Sequence, residues 1–182
     1  YRGTGTYIIG RGEVAVIDPG PMLDAHRDAL MAELIDEKVV AILVTHCHSD
    51  HSPLAAWLKE YSGAPTYAFG PHGAVEDPDD DPEPDDEDQP KNDAGAAESA
   101  PEVEQKESVD TDFVPDVVAP DGYVIAGPSW TFEAVFTPGH TSNHTCFALN
   151  EEQALFTGDH VMGWSTTVVS PPDGDMRAYC KS

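Results

Sequence analysis

Apolar positions along this chain come in short runs whose period changes from element to element. Tyr7-Ile8-Ile9 and Val14-Ala15-Val16-Ile17 are rich in β-branched residues and flank Gly10-Arg11-Gly12, which predicts a β-hairpin. Asp18-Pro19-Gly20-Pro21 then stops the second strand. Over residues 22–38, Leu23, Leu30, Leu34 and Ile35 recur among acids, the spacing of an amphipathic helix with His26 on its solvated side. Residues 39–44 form a continuous apolar run, the signature of a strand buried on both faces. A second helix follows, with Ser52 as its cap, Pro53 in its first turn, Leu54, Trp57, Leu58 and Tyr61 as its apolar face, and Gly63 as its stop. Residues 65–69 read as a strand, and His72 as an exposed position on the loop after it.

Periodicity then disappears over residues 76–112. Proline, aspartate, glutamate and alanine dominate there, and such a stretch cannot bury enough surface to offset the entropy of ordering. Disorder is therefore expected. Its carboxylates lack the spacing of a calcium loop. Beyond it the strand pattern resumes at 117–118, 123–125, 130–136, 145–149 and 154–156, punctuated by Gly, Pro and Asn. This arrangement is layered α/β, with residues 1–75 and 113–182 as two parts of one domain and 76–112 as an acidic insertion.

Charge sharpens that division. The 182 residues carry a formal net charge of −25. Seventeen acids and two lysines lie between Glu76 and Asp112, so the insertion holds −15 of it. A surface of this sign repels phosphate backbones and counts against broad nucleic-acid binding. Cys47, Cys146 and Cys180 are odd in number with no CxxC spacing, which fits a reducing, cytoplasmic setting better than a disulfide framework. No apolar run is long enough for a membrane span.

Candidate chemistry is concentrated in Thr45-His46-Cys47-His48-Ser49-Asp50-His51, directly after the buried strand. Imidazole nitrogens and carboxylate oxygens are ligands for divalent first-row metals. His46 and His48, two residues apart, share one side of an extended segment, while Cys47 points to the other as a small core residue. Asp50 and His51 fall at the turn into the helix, so two ligand sets can diverge toward neighbouring ions. Asp18, at a strand end, is either an orienting partner for a ligating histidine or a turn-stabilising residue. Two later loops, Thr137-Pro138-Gly139-His140-Thr141-Ser142-Asn143-His144 and Thr157-Gly158-Asp159-His160, add ionisable groups just after hydrophobic strands.

Taken together, the HxHxDH stretch 46–51, the PGHT loop 138–141 and the GD loop 158–159 resemble the metallo-β-lactamase superfold of binuclear hydrolases. The resemblance implies an αββα sandwich. It also implies that His46, His48 and His140 bind one metal, Asp50 and His51 bind a second, and Asp159 bridges the two. Zinc is the default ion, and iron or manganese suits the same donors. A metal-held water or hydroxide would be the nucleophile, with Asp50 as the protein group that orients it or shuttles its proton. The family's further histidine, in a loop beyond the GD loop, has no counterpart here, since His160 follows Asp159 immediately and is not promoted. That gap, with a first residue that is tyrosine rather than methionine, leads us to expect a chain truncated at both ends.

Residues 157–168 resemble the branch containing β-lactamase-like protein 2, related to glyoxalase II. Activities implied by that branch are hydrolysis of an ester or thioester and endoribonuclease cleavage of single-stranded RNA. His144 is either a substrate contact or a polar residue at a strand start. Trp164, Ser165 and Thr166 are expected to line the cleft floor, although a packed tryptophan would look the same. A non-catalytic metal-binding interaction protein is the alternative from another class.

Overall fold

The computed structural model describes residues 3–73, 108–163 and 165–182. Strands β1 (Tyr7–Arg11) and β2 (Glu13–Ile17) make the expected hairpin, and α1 (Asp24–Glu33) leads into β3 (Lys38–Leu43). Helix α2 (Leu54–Ser62) precedes β4 (Thr66–Ala68), and β5 (Val117–Val118) completes a five-stranded sheet of order β1-β2-β3-β4-β5. Pairing is parallel from β2 through β5. Strands β6 (Val124–Ala126), β7 (Thr131–Phe136), β8 (Thr145–Leu149) and β9 (Ala154–Phe156) form an antiparallel meander, and the short α3 (Met176–Tyr179) comes last.

Alternation along β2 and β3 divides their side chains between two cores. Val14, Val16 and Ile42 face the helices and pack with Leu30, Leu34, Leu54 and Leu58. Ala15, Ile17, Ala41 and Leu43 face the second sheet and meet Ile125, Phe132, Ala134 and Phe147. The central sheet is thus buried on both faces, as its continuous apolar runs require. Phe132 and Phe147 have no exposed surface, and burying each contributes about 2–3 kcal/mol. Helices, mixed sheet and antiparallel sheet stack as layers of an α/β sandwich, and β3 ends where β8 begins, the Thr145 N–H donating to the Thr45 carbonyl at 2.9 Å.

Several expectations are corrected. Helix α1 is shorter than residues 22–38, so Leu23 and Ile35 fall outside it and are 60% and 81% exposed. Its buried apolar residue is Leu30, with Leu34 at the C-cap. His26 is half-buried rather than solvated, because its Nε2 bonds the Pro19 carbonyl at 2.8 Å. Ser52 does not cap α2; its hydroxyl donates to Asp110 Oδ2 at 2.7 Å. Gly63 does end α2, in the left-handed conformation.

Asp110 also corrects the end of the acidic insertion. Val109 bridges His48, the Ser49 N–H donates to the Ser108 carbonyl and the Asp110 N–H to the Cys47 carbonyl, both at 2.8 Å. Residues 108–110 are therefore a strand-like clasp on the histidine motif, and backbone pairing rather than composition decides their state. The expected disorder of residues 76–107 falls on residues outside those described.

Candidate metal centre

The centre forms where β3 runs out. Beyond Leu43 the chain turns through residues 45–51, and burial continues from the strand into His46, His48 and His51. His140 reaches the same point from the loop between β7 and β8, and Asp159 from the loop after β9. His46 Nε2 and His140 Nε2 each lie 3.0 Å from His48 Nδ1. Donor atoms of His46, His51 and Asp159 form a second, overlapping group within 4.8 Å of one another.

Hydrogen bonds from outside the cluster determine which nitrogen each ring turns inward. The Thr45 hydroxyl donates to Asp18 Oδ2 at 2.8 Å, so its oxygen is left to accept from His46 Nδ1 at 3.0 Å. His46 Nε2 therefore turns its lone pair inward, toward His48 Nδ1 at 3.0 Å. His140 Nδ1 donates to the Val168 carbonyl at 2.6 Å, with the same result for its Nε2. Bonds of this kind set tautomer and ring orientation in histidine ligands.

Asp18 proves to be the orienting group. It is buried, its Oδ1 accepts the Thr45 N–H at 2.8 Å, and its Oδ2 accepts His51 Nδ1 at 2.9 Å. Burial disfavours a charged His51, but the carboxylates of Asp18 and Asp159 outweigh it and push the imidazole up to about 10. Burial also works to raise the Asp159 carboxyl, yet the His51 N–H and the neighbouring imidazoles hold it below the usual range. For His48, burial and then the neighbouring His140 and His51 lower the pKa to about 4. His46, first by burial and then by His51, is also held well below its free value.

Asp50 sits at the rim rather than inside. Its side chain is one-third exposed and Oδ2 lies 3.8 Å from His51 Nε2. Asp159 lies between the two groups, with Oδ1 3.4 Å from His51 Nε2 and Oδ2 3.8 Å from His140 Nε2.

His144 is brought to the centre beside His46 and Asp159. It has no exposed surface, Nδ1 bonds Thr137 Oγ1 at 2.9 Å, and Nε2 accepts the Asp159 N–H at 3.3 Å. The ring thereby holds the backbone that presents Asp159. Gly158 beside it has φ +47°, and an added Cβ would stand 2.7 Å from Thr45 Oγ1 and 2.8 Å from His144 Nε2. Ser165 and Thr166 are exposed, and Trp164 lies outside the described residues. His160 belongs to neither donor group, and its ring centroid lies 4.9 Å from that of Tyr179 and 6.0 Å from that of His144. Cys47 is buried in the helix-side core as its position predicts. Sequence reasoning missed Thr45, Thr137 and the Val168 carbonyl; the only signal was a hydroxyl residue at the end of each apolar strand.

A family model described as the metallo-beta-lactamase superfamily matches residues 2–179. The chain belongs to that superfamily. Among its relatives, an atrochrysone carboxyl ACP thioesterase of Aspergillus chevalieri is 33% identical over 185 residues, covering 100% of this chain and 46% of the relative. The chain thus spans about half the length of the curated relatives it matches. The crystal structure of BLEG-1 B3 metallo-beta-lactamase aligns with a TM-score of 0.66 at 21% identity, covering 97% of this chain and 76% of that one. TTHA1623 in a di-iron-bound form aligns with a TM-score of 0.64 at 20% identity, covering 98% and 78%. These two structural likenesses show the fold alone. No helix among the described residues is long and apolar enough to cross a membrane.

Proposed function

We propose that this chain carries the catalytic centre of a metal-dependent thioesterase, a hydrolase that cleaves a small acyl thioester to an acid and a thiol. The convergence of His46, His48 and His140 nitrogens within 3.0 Å of one another's nearest donor is the observation that carries the reading. Divalent ions fit this donor set. The rings of His46 and His48 are held neutral by burial, and two of the three have their second nitrogen committed to a partner outside the cluster. Neutral imidazoles are the protonation state in which histidine donates a lone pair to a metal, so the cluster needs little reprotonation to bind an ion.

His46, His48 and His140 would hold one ion, Asp50 and His51 a second, and Asp159 would serve both. When bound, such ions acidify a water and polarise the carbonyl under attack. The remaining work falls to the chain's own groups. Asp18 and Thr45 keep the ligating nitrogens aimed inward. Asp50, exposed at the rim, is placed to take a proton at a carboxylate oxygen and pass it to the departing thiolate. Zinc is the proposed ion, with iron or manganese as alternatives for the same donors.

Relatives named as thioesterases support a thioester over a phosphodiester substrate. The net charge of −25 weighs in the same direction, against single-stranded RNA. The test is metal content by elemental analysis together with hydrolysis of acyl-pantetheine and acyl-carrier-protein thioesters. His48→Ala, which removes the nitrogen common to both short contacts, is expected to lower turnover more than about 100-fold and to release the first ion. Undiminished hydrolysis after exhaustive chelation would sink the reading.

A further inference from the structure

We propose that Thr4 is a positioning residue of this centre, holding the Asp50 carboxylate against His51; the assignment rests on the two-ion reading above. Thr4 lies on the segment leading into β1, far in sequence from every motif that marks the site. Its hydroxyl donates to Asp50 Oδ2, and the same oxygen lies 3.4 Å from His51 Nε2. The hydroxyl therefore stands between the two residues that make up the second ligand pair.

The segment is held in place independently of that contact. Thr6 Oγ1 donates to the Asp18 carbonyl at 2.7 Å, and the Tyr7 ring packs edge-on against Phe156 at a centroid distance of 4.9 Å. Tyr7 also pairs with Ile17 in the hairpin. An added Cβ at Gly5 would meet the Tyr7 phenol oxygen at 2.9 Å, so the tyrosine can fold back along the segment only where no side chain intervenes. Asp18 thus acts twice. Its carboxylate orients His51, and its carbonyl anchors the strap that delivers Thr4 to Asp50.

A carboxylate at a rim position can rotate about its Cβ–Cγ bond. One hydroxyl donor fixed to Oδ2 restricts that rotation and presents the group in a single orientation. Threonine gives its proton to Asp50 and leaves only acceptor lone pairs toward His51 Nε2. Valine keeps the shape and loses the donor, whereas serine keeps the donor.

Cobalt(II) titration of the natural chain, Thr4→Val and Thr4→Ser, followed by absorption and calorimetry, tests the assignment. The expected result is a second cobalt ion bound about 10-fold or more weakly in Thr4→Val. The first ion and the thermal midpoint should be unchanged, and Thr4→Ser should restore binding. Equal second-ion affinity in Thr4→Val and the natural chain would overturn the role of Thr4 and leave the two-ion reading standing. Loss of both ions together, or of the fold, would show a merely structural residue and overturn it too. A natural chain that takes up fewer than two ions would overturn the two-ion reading and this assignment with it.

Discussion

Asp18→Asn isolates the group that organises the centre from outside. In the structure this carboxylate accepts from the Thr45 N–H, the Thr45 hydroxyl and His51 Nδ1, at 2.8, 2.8 and 2.9 Å. Asparagine can keep its oxygen toward the Thr45 N–H, but its amide then faces His51 Nδ1 with a second donor. Once neutral, as a metal ligand must be, His51 has to carry its single proton on Nε2, the nitrogen that points at Asp159 and Asp50, and that nitrogen can no longer ligate. Two of three charge-assisted bonds, at roughly 1.5–3 kcal/mol each, are affected. The tautomer switch recovers part of this, leaving a loss of about 2–3 kcal/mol. For a chain of this size that is a fall in melting temperature of about 4–12 °C. Second-ion affinity should drop about 10–100-fold.

The pH dependence of stability provides a separate check on the same variant. His51 has its folded-state pKa raised to about 10. Its stabilisation in the metal-free natural protein is therefore fully present below its free value of about 6.5 and lost as pH rises through about 10. In Asp18→Asn that alkaline loss should disappear or move toward neutrality. Circular dichroism melts across this range, with calorimetric metal titration, are the assays. An Asp18→Asn protein that melts within a degree of the natural one and binds two ions equally tightly would refute the reasoning.

Acid should act in the opposite sense on the other rings. His46, His48 and His144 have lowered folded-state pKa values, mainly through burial, so their stabilisation is present above about pH 6.5 and lost as pH falls toward about 4 for His48. The His48 contribution is about 3 kcal/mol, and acid titration of the chelated protein by circular dichroism should show the transition in that window. Gly158→Ala is expected to cost about 1–3 kcal/mol and to weaken metal binding, because its Cβ would press on Thr45 and His144; an unchanged denaturant midpoint would contradict this. Replacing residues 76–107 by a short glycine-serine linker should leave hydrolysis intact, whereas removing 76–112 should destabilise the fold by taking away the clasp of Val109 and Asp110 on the motif. Equal melting temperatures for the two deletions would show that the clasp contributes nothing.

Much of this protein was legible along the chain because its signals are local. A continuous apolar run identifies β3 as doubly buried whatever packs on it, and a histidine two residues from another shares its face by backbone geometry alone. The donors of the HxHxDH stretch and the loops bearing His140 and Asp159 could therefore be named before any fold was known. Element ends were less legible. Ile35 fits the helical period of α1, but the helix stops at Glu33 and leaves it in solvent.

Tertiary structure alone decided how the donors are aimed. Which nitrogen of His46 or His140 turns inward depends on Thr45 and on the Val168 carbonyl, and the latter is 28 residues from its partner. Asp18 could be read equally well as a turn residue until β2 and β3 lay side by side and put it 2.9 Å from His51. His144 marks only a polar position at a strand start in the sequence, and the fold buries it where its Nε2 accepts the Asp159 N–H. Thr4 and Asp110 carry no motif, and both reach the centre by non-local contacts that no period in the sequence records. Donor identity is a property of residues and short spacings, whereas proton placement and side-chain orientation belong to contacts that exist only once the sheets have closed.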